Sequence, residues 1–319
     1  MGYYTKNGGL IGVGNIDTKK GIFDVTASQI IGDYSGPDDL AYSNFFKNNQ
    51  SPIDVSNSSY DEFQGTGSAG SSGNTHGTLG NIIDHNESKI WGGYSSASYY
   101  TWNNGGSNYS GNANFYAVNS SSQSVTGHGS SGMSSNGRGM TIAYLGDNTP
   151  VIVITTRYKQ FYYFNYPAGT YIGRLTAIED SGDNPTDDDF AGVCYNGTQL
   201  LVATRANNYV YGYDIPSDTA AIVVQQQNNT TVSVTRRWST SHDCQYGMVW
   251  SGDGVYMSAG NSTQTCSYFR FSGTGTSGTS TLVRSYSLGT TNYSLAIDYK
   301  NRKLIMGGYG NNRYRVWGE

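Results

Sequence analysis

Apolar and polar positions follow one recurring order along most of the chain. An apolar run is followed by a short polar turn, a second apolar run ending in small residues, another turn, and an aromatic run of alternating character. Continuous apolar runs are typical of strands buried on both faces, and alternation is typical of half-buried strands. The order predicts similar groups of strands in five segments, which begin at Ile82, Thr141, Gly192, Gly247 and Ser294.

Small residues at the end of the second apolar run align the five segments. The intervals between them are 63, 48, 55 and 49 residues, which is the size of a four-stranded propeller blade. The aligned residues are Gly93, Thr156, Thr204, Ala259 and Gly308. A fourth, outer strand is predicted after four of the segments, in Gln123–Gly129, Thr170–Ile178, Val232–Ser239 and Thr281–Ser287.

The last segment has three strands, so we expect its fourth strand to come from elsewhere in the chain. Ser58–Gly65 is favoured because it stands before the first segment, where a fourth strand is due, and Gly21–Ile30 is the alternative. Such a strand closes the ring of blades and removes its exposed edges.

The predicted fold is therefore all-β. Residues 58–319 form a five-bladed β-propeller of four-stranded antiparallel blades, with the ring closed by an N-terminal strand, and residues 1–57 form a short N-terminal arm. A four-stranded or sandwich-like arrangement of the same hairpins is the competing interpretation.

Composition supports a folded, turn-rich protein and excludes several function classes. The 319 residues include 43 Gly and 28 Tyr and carry a net charge of only −4. Tyr favours strands and Gly favours turns, while the mild acidic balance argues against nucleic-acid binding. No apolar run approaches the roughly 18 residues that span a bilayer, and we expect no secretory signal at the N-terminus. Three cysteines cannot all pair within one chain, so Cys194, Cys244 and Cys266 are predicted to be free and mostly buried.

Two groups of residues are candidate metal ligands, but neither has a convincing spacing. His76, His128 and His242 fall in linkers between segments, and imidazole suits several transition metals. The linkers differ in length and sequence, so hydrogen-bonded histidines are the favoured interpretation, with His85 facing solvent. An acidic loop could ligate calcium, yet its spacing differs from that of an EF-hand, and a solvated loop is expected. Its carboxylates are Asp180, Asp183, Asp187, Asp188 and Asp189.

No metal or cofactor is predicted, and the chain is not expected to be an enzyme. Two Gly-x-Gly-x-x-Gly matches, from Gly65 and from Gly273, lie outside any strand–helix unit and do not indicate dinucleotide binding. Some propellers are glycosidases, which use paired carboxylates. Asp84 and Asp298 occupy matching positions of the first and last segments, but a repeated Asp more often caps a turn.

Binding is better supported than catalysis. The turns between second and third strands should lie at the same face as the linkers between blades, and they carry aromatic, amide and guanidinium groups that suit sugars. Such residues also make adaptable polar surfaces, although turns select Asn for backbone reasons alone. The predicted glycan- or partner-binding residues are Tyr94, Arg157, Tyr158, Arg205, Asn207, Tyr309 and Asn311, with Asn208 and Asn312 beside them.

The N-terminal stretch contains "GLIG", in Gly9, Leu10, Ile11 and Gly12, followed by "GIFDV" in Gly21–Val25. It resembles the N-terminal segment of tailed-phage virion proteins, particularly those of marine and cyanobacterial phages. The resemblance implies location in the virion and an arm that contacts other virion proteins. The implied anchoring residues are Gly9, Leu10, Ile11, Gly12, Ile22 and Phe23.

The function that follows is a virion structural protein, either a fibre or appendage that touches a host-surface glycan or a decoration protein, and oligomeric in the particle. A stand-alone sugar-binding propeller and, third, a glycosidase remain as alternatives. The arm could also pack on its own propeller without any partner.

Overall fold

The computed structural model of the chain describes residues 3–4, 10–11, 60–64, 82–84, 89–93, 99–104, 118–125, 137–156, 158–178, 190–204, 208–241, 244–252, 254–259, 265–273, 276–287, 292–298, 303–308 and 313–318. Contacts divide the chain into two compact units, Met1–Asn48 and Asn49–Glu319. In the first unit, β1 (Tyr3–Tyr4) pairs antiparallel with β2 (Leu10–Ile11), with Tyr3 opposite Ile11. The domain boundary after residue 57 stays a prediction.

The second unit is built from antiparallel strands in successive groups, which we call repeats. It begins with β3 (Tyr60–Gln64). The first repeat contains β4 (Ile82–Asp84), β5 (Lys89–Gly93), β6 (Tyr99–Asn104) and β7 (Val118–Val125). The second contains β8 (Gly137–Tyr144), β9 (Pro150–Thr156), β10 (Gln160–Asn165) and β11 (Tyr171–Ile178).

Three further repeats follow in the same order. The third contains β12 (Phe190–Tyr195), β13 (Gln199–Thr204), β14 (Tyr209–Asp214) and β15 (Thr231–Ser239). The fourth contains β16 (Cys244–Ser251), β17 (Gly254–Ala259), β18 (Thr265–Ser272) and β19 (Ser277–Ser287). The last contains β20 (Asn292–Asp298), β21 (Lys303–Gly308) and β22 (Arg313–Gly318). The antiparallel partner of β22 on its other side is β3, with Val316 opposite Asp61.

The predicted order of strands is confirmed, and so is the alignment by small residues. Each of the five aligned small residues is the last residue of a second strand. Three of the predicted outer strands agree with the observed ones within a few residues. The first does not: the strand is Val118–Val125 rather than Gln123–Gly129, because the serine-rich run has little apolar contrast from which a boundary could be drawn.

Irregularities in strand pairing also recur from repeat to repeat. The register shifts near the start of the first strand in four repeats, for example between Gly137 and Gly139 and between Phe190 and Gly192. A second shift recurs between the third and outer strands, where Ile172, Thr235 and Val283 are the extra residues. Such β-bulges bend a strand and increase its twist. Their recurrence shows that the repeats share backbone geometry as well as order.

Neighbouring repeats pack side by side through their first strands, and glycine allows the close approach. A Cβ on Gly139 would lie 2.6 Å from the backbone nitrogen of Val193, and one on Gly192 would lie 2.8 Å from Cβ of Met248. Cβ atoms in proteins essentially never approach another heavy atom so closely, so a side chain at these positions would push the repeats apart.

Aromatic and aliphatic side chains fill the space between repeats. Between the second and third repeats, the ring of Phe161 lies 5.6 Å from Phe190 and 5.1 Å from Tyr213, measured between centroids. All three side chains are fully buried, and such tilted aromatic pairs add to the burial of their area. A second cluster joins the fourth and last repeats, where Tyr256 and Tyr268 pack with Trp317. The core therefore lies between the repeats.

Within the described part of the chain, a short helix interrupts the all-β pattern. The helix α1 (Thr219–Gln227) lies between β14 and β15, and its N-cap is Asp218, whose carboxylate accepts a hydrogen bond from the backbone N–H of Ala221 at 2.7 Å. The β-branched run "IVV" within it favours a strand, so the sequence pattern indicates no helix here. For the other residues that the structure describes, the all-β class is confirmed. Among the described residues, no helix has the length and apolar character needed to cross a membrane.

Candidate binding site on the turns between second and third strands

Tyr158 is the member of the predicted binding set that the structure describes. The other predicted residues, Tyr94, Arg157, Arg205, Asn207, Tyr309 and Asn311, lie outside the described residues. The same holds for four of the implied anchoring residues, while Leu10 and Ile11 form the short strand β2. The candidate site can therefore be built from the turns of the second and third repeats.

The turn of the second repeat is tight and fixed by its backbone. Strand β9 ends at Thr156 and β10 begins at Gln160, which stands opposite Thr156 in the register. Lys159 adopts a φ of 55°, a left-handed conformation that closes a short turn, and its carbonyl accepts a hydrogen bond from the N–H of Ala177 at 2.7 Å. Tyr158 is 49% exposed at the tip of this turn. A rigid backbone therefore presents a large aromatic side chain to solvent.

The equivalent turn of the third repeat is held by a similar backbone hydrogen bond. The carbonyl of Asn208 accepts a hydrogen bond from the N–H of Thr240 at 2.7 Å, and Thr240 is the first residue after the outer strand β15. In both repeats the turn is thus bonded to the end of the outer strand or to the residue that follows it. In these two repeats, the turns and the start of the next linker lie at the same end of the sheet, as predicted.

The base of the second-repeat turn is lined by small polar groups. Thr155 and Thr156 are fully buried, and the hydroxyl of Thr155 points to the carbonyl of Gly139 at 3.5 Å, a weak contact by hydrogen-bond criteria. The Oγ1 of Thr156 has no hydrogen-bond partner among the described residues. Beside them, the hydroxyl of Tyr162 donates to Oε1 of Gln160 at 3.1 Å.

The hydroxyl of Tyr162 has a raised pKa. Desolvation by burial is the main cause, and the hydrogen bond with Arg174 and the positive charge of that residue only partly oppose it. Gln160, the first residue of β10, is thereby held by a neutral hydroxyl. The end of the sheet below Tyr158 therefore has polar groups that are fixed in place.

The three cysteines belong to the core, as predicted. Cys194, Cys244 and Cys266 are free and buried, and the thiol of Cys244 points to the carbonyl of Gly247 at 3.3 Å. Burial raises the pKa of Cys194 and of Cys266, and their proximity to Cys244 adds to the effect. Because the thiolate is the nucleophile, these thiols are unsuited to nucleophilic chemistry.

The carboxylates considered for catalysis lie at the other end of the sheet. Asp84 stands opposite Lys89, and Asp298 stands opposite Lys303, so each residue ends a first strand, at the turn that leads to the second strand. The matching positions inferred from the sequence are therefore confirmed. The side chain of Asp298 is 0% exposed, which leaves it without access to a substrate.

The candidate metal ligands cannot be placed. All four histidines and all five carboxylates of the acidic loop lie outside the described residues. Within the described part of the chain, no group of three or more His, Cys, Asp or Glu side chains could hold a metal ion.

The sequence did not predict a backbone contact between the second and third repeats. It lies at the end of the sheet where the first strands end. In the turn after β8, the N–H of Gly146 donates to the carbonyl of Pro216 at 3.0 Å, and the N–H of Asp147 donates to that of Ser217 at 2.8 Å. The signal was present as two turn-type stretches, "LGDN" and "IPSD", but a turn signal does not reveal which other turn it meets.

These features define the class of protein. Antiparallel four-stranded repeats that pack side by side through their first strands form a β-propeller. In this propeller, the described part of the candidate site is the end of the sheet that carries Tyr158 and Asn208.

Comparisons with known proteins add structural similarity only. No family model matches the chain, and no curated protein matches it. The β-propeller domain of Cps50 (Swd1) from Myceliophteria thermophila is 10% identical over 75% of this chain and 69% of that chain, with a TM-score of 0.40. The WD40 β-propeller domain of Doa1 is 10% identical over 73% of this chain and 61% of that chain, with a TM-score of 0.39. Hydrazine synthase from Kuenenia stuttgartiensis is 13% identical over 55% of this chain and 43% of that chain, with a TM-score of 0.34. The fold class rests on the strand pairing of the chain itself.

Proposed function

We propose that this chain is a binding propeller without enzymatic activity, which contacts a glycan through the turns between second and third strands. The observation that carries the proposal is the exposed ring of Tyr158 on a turn fixed by the bond from Ala177 to Lys159. A flat aromatic side chain with a polar hydroxyl contacts both the apolar and the polar faces of a sugar ring. Binding should cost little conformational entropy in this turn, because a hydrogen bond already fixes its backbone.

We also propose that the repeats are the blades of a five-bladed ring. Support comes from the first strands, which follow one another in a cycle: β4 lies near β8, β8 near β12, β12 near β16 and β16 near β20. The cycle returns to its start because β20 pairs in parallel with β4, Ile297 opposite Ile82. In this arrangement β3 is the fourth strand of the last blade. A ring brings equivalent turns of all blades to one face.

The place of the protein in a phage virion is proposed from the N-terminal resemblance. The arm would join the propeller to other virion proteins, and the propeller would face the host-surface glycan. Deleting residues 1–30 tests this: particles should lose the protein, while the isolated propeller keeps its fold and its glycan binding. Retention of the truncated chain on particles would contradict the virion arm and would favour a stand-alone sugar-binding propeller.

Tyr158→Ala is the direct test of the binding face. We expect its affinity for a glycan found by array screening to fall about tenfold, or ~1.4 kcal/mol, while Tyr158→Phe retains most of the binding because the ring remains. Val224→Ala is the matched control, since Val224 is 52% exposed on helix α1. Unchanged affinity of Tyr158→Ala for every glycan would remove this face as the site.

Absence of catalysis is tested with the same glycans. We expect no released sugar from the wild-type chain, since the buried carboxylate of Asp298 is enclosed within the protein. Sugar release that disappears in Asp298→Asn would instead establish a glycosidase.

A further inference from the structure

The outer strand of the fourth repeat, β19, is unusually exposed. It has eleven residues, and the side chains of five successive residues, 281–285, are exposed on both faces of the strand. Two of them are apolar: Leu282 is 44% exposed and Val283 is 37% exposed. This segment therefore exposes apolar side chains to solvent.

The outer edges of the two preceding repeats are already used by other parts of the chain. Strand β15 pairs in parallel with β11, Thr176 opposite Thr231, and Oε1 of Gln226 on helix α1 accepts a hydrogen bond from the N–H of Arg174 at 2.5 Å. Strand β19 in turn pairs with β15 at Arg237 and Ser277. Both β11 and β15 carry the recurrent bulge and still pair at their outer edges, at residues that lie a few positions away from the bulge.

Among the described strands, β15 covers the beginning of the outer edge of β19. Strand β15 reaches Ser277 and Gly278, and the hydroxyl of Ser280 donates to the carbonyl of Ser239. Strand β18 occupies the inner side from Thr279 onward. From Thr281 to Ser285, no described strand pairs with the outer side. In an antiparallel pair, every second residue directs its N–H and C=O away from the partner, so this stretch presents a row of hydrogen-bonding groups.

We propose that this edge pairs with the same edge of a second copy of the chain, antiparallel and about a two-fold axis near Leu282 and Val283. Among strands, self-pairing fits this sequence because Ser277–Ser287 contains a single charged residue, Arg284. A two-fold axis near Leu282 places Arg284 opposite serine or threonine, so no like charges meet. The same axis brings the two exposed apolar side chains of each copy together. A C₂ contact of this type is closed and produces dimers rather than fibres.

This interface is independent of the proposed glycan site, since it involves the outer strand and leaves Tyr158 untouched. The test is sedimentation velocity of the full chain over a concentration series. We expect wild-type protein to form a dimer, and the double variant Leu282→Lys, Val283→Lys to associate at least about tenfold more weakly because four positive charges meet at the axis. The matched control is Val223→Lys, Val224→Lys on helix α1, with the same charge change at residues of similar exposure; it should dimerise as the wild type does.

A second measurement locates the contact. In a two-fold pair centred here, Cβ atoms of opposing residues lie about 5 Å apart, so Leu282→Cys should form an intermolecular disulfide on mild oxidation and Val224→Cys should not. The native thiols are buried and give little background. Thermal unfolding of each variant verifies its fold. A wild-type chain that stays monomeric throughout the series, or a lysine double variant that dimerises normally, would overturn the proposal.

Discussion

At the scale of single residues, the fold depends on positions that must be glycine and on buried ionisable side chains that must stay uncharged. Gly139 and Gly192 stand where first strands of neighbouring repeats approach, whereas Tyr163, Tyr195 and Cys194 are buried ionisable groups whose pKa burial raises. The burial of Cys194 was predicted from the sequence, but the approach of Gly139 and Gly192 to neighbouring strands and the burial of the two tyrosines were not. A glycine in a glycine-rich chain gives no sign of which backbone it approaches, and burial depends on the packing of other repeats.

Gly139→Ala is expected to destabilise the protein by about 1–3 kcal/mol, as overpacking does in a close-packed core. The new Cβ would lie 2.6 Å from a backbone nitrogen of β12, which cannot rotate away as a flexible side chain could. Urea unfolding measures the change, with Val223→Ala on the exposed surface of helix α1 as the control. Equal midpoints for Gly139→Ala and wild type would show that the two first strands can separate freely.

Alkaline pH is expected to weaken the fold through buried tyrosines. Burial raises the pKa of Tyr195 from 10.0 to about 12. The folded protein therefore holds this proton more tightly than the unfolded chain does. The stabilising contribution is complete below pH 10 and is lost as the pH rises through about 12.

Unfolding midpoints measured across that range, together with tyrosinate absorbance, check this prediction. Tyr195→Phe should show a smaller loss of stability at high pH than wild type, although it also lacks the hydrogen bond from the Tyr195 hydroxyl to the carbonyl of Gly197. An identical pH dependence in the two proteins would mean that Tyr195 does not contribute.

At the scale of elements, the local pattern predicted strands well and their partners less well. Second strands were placed correctly because small residues mark their ends, as at Thr156 and Thr204. Helix α1 was missed because its β-branched residues favour strands, and its formation depends on the Asp218 cap and on packing against β11. For the candidate site, the turn that carries Tyr158 was predicted from its spacing. The hydrogen bond from Ala177 to the carbonyl of Lys159 in that turn could be known only from the fold.

Helix α1 is expected to protect the edge of β11 through one side chain. Oε1 of Gln226 accepts hydrogen bonds from the N–H of Arg174 at 2.5 Å and from the hydroxyl of Tyr171 at 3.0 Å, and Ile222 packs on Gly173. Gln226→Ala should lower stability by about 1 kcal/mol and should raise hydrogen exchange at Arg174.

Gln227→Ala is the matched control, because the neighbouring glutamine is exposed and the same substitution has the same effect on helix propensity. If both variants exchange alike at Arg174, the helix covers the edge without help from Gln226, and its role is limited to the packing of Ile222.

At the scale of the whole molecule, repeats with a common backbone pattern are held together by contacts that the pattern does not encode. The clusters between repeats join residues distant in sequence, such as Tyr256 and Trp317. Among the described strands, the pairing of β3 with β22 spans the longest stretch of sequence, since it joins Tyr60 to Trp317. A repeat pattern can predict that a strand is missing from the last group, but it does not by itself choose between the two candidate segments, and closure of the ring by Ser58–Gly65 stays a prediction.

The pairing of β3 with β22 leads to a prediction for two truncated chains, which differ in length by seven residues. A chain beginning at residue 58 keeps β3 and should unfold cooperatively at a temperature close to that of the full chain. A chain beginning at residue 65 lacks β3 and leaves Arg313–Gly318 as an open edge, which is a template for association with other chains. We expect the shorter protein to melt at a lower temperature and to aggregate in size-exclusion chromatography. Because both proteins lack residues 1–57, the difference between them reports on the segment that contains β3, and equal stability and solubility would mean that the last repeat does not need the pairing of β22 with β3.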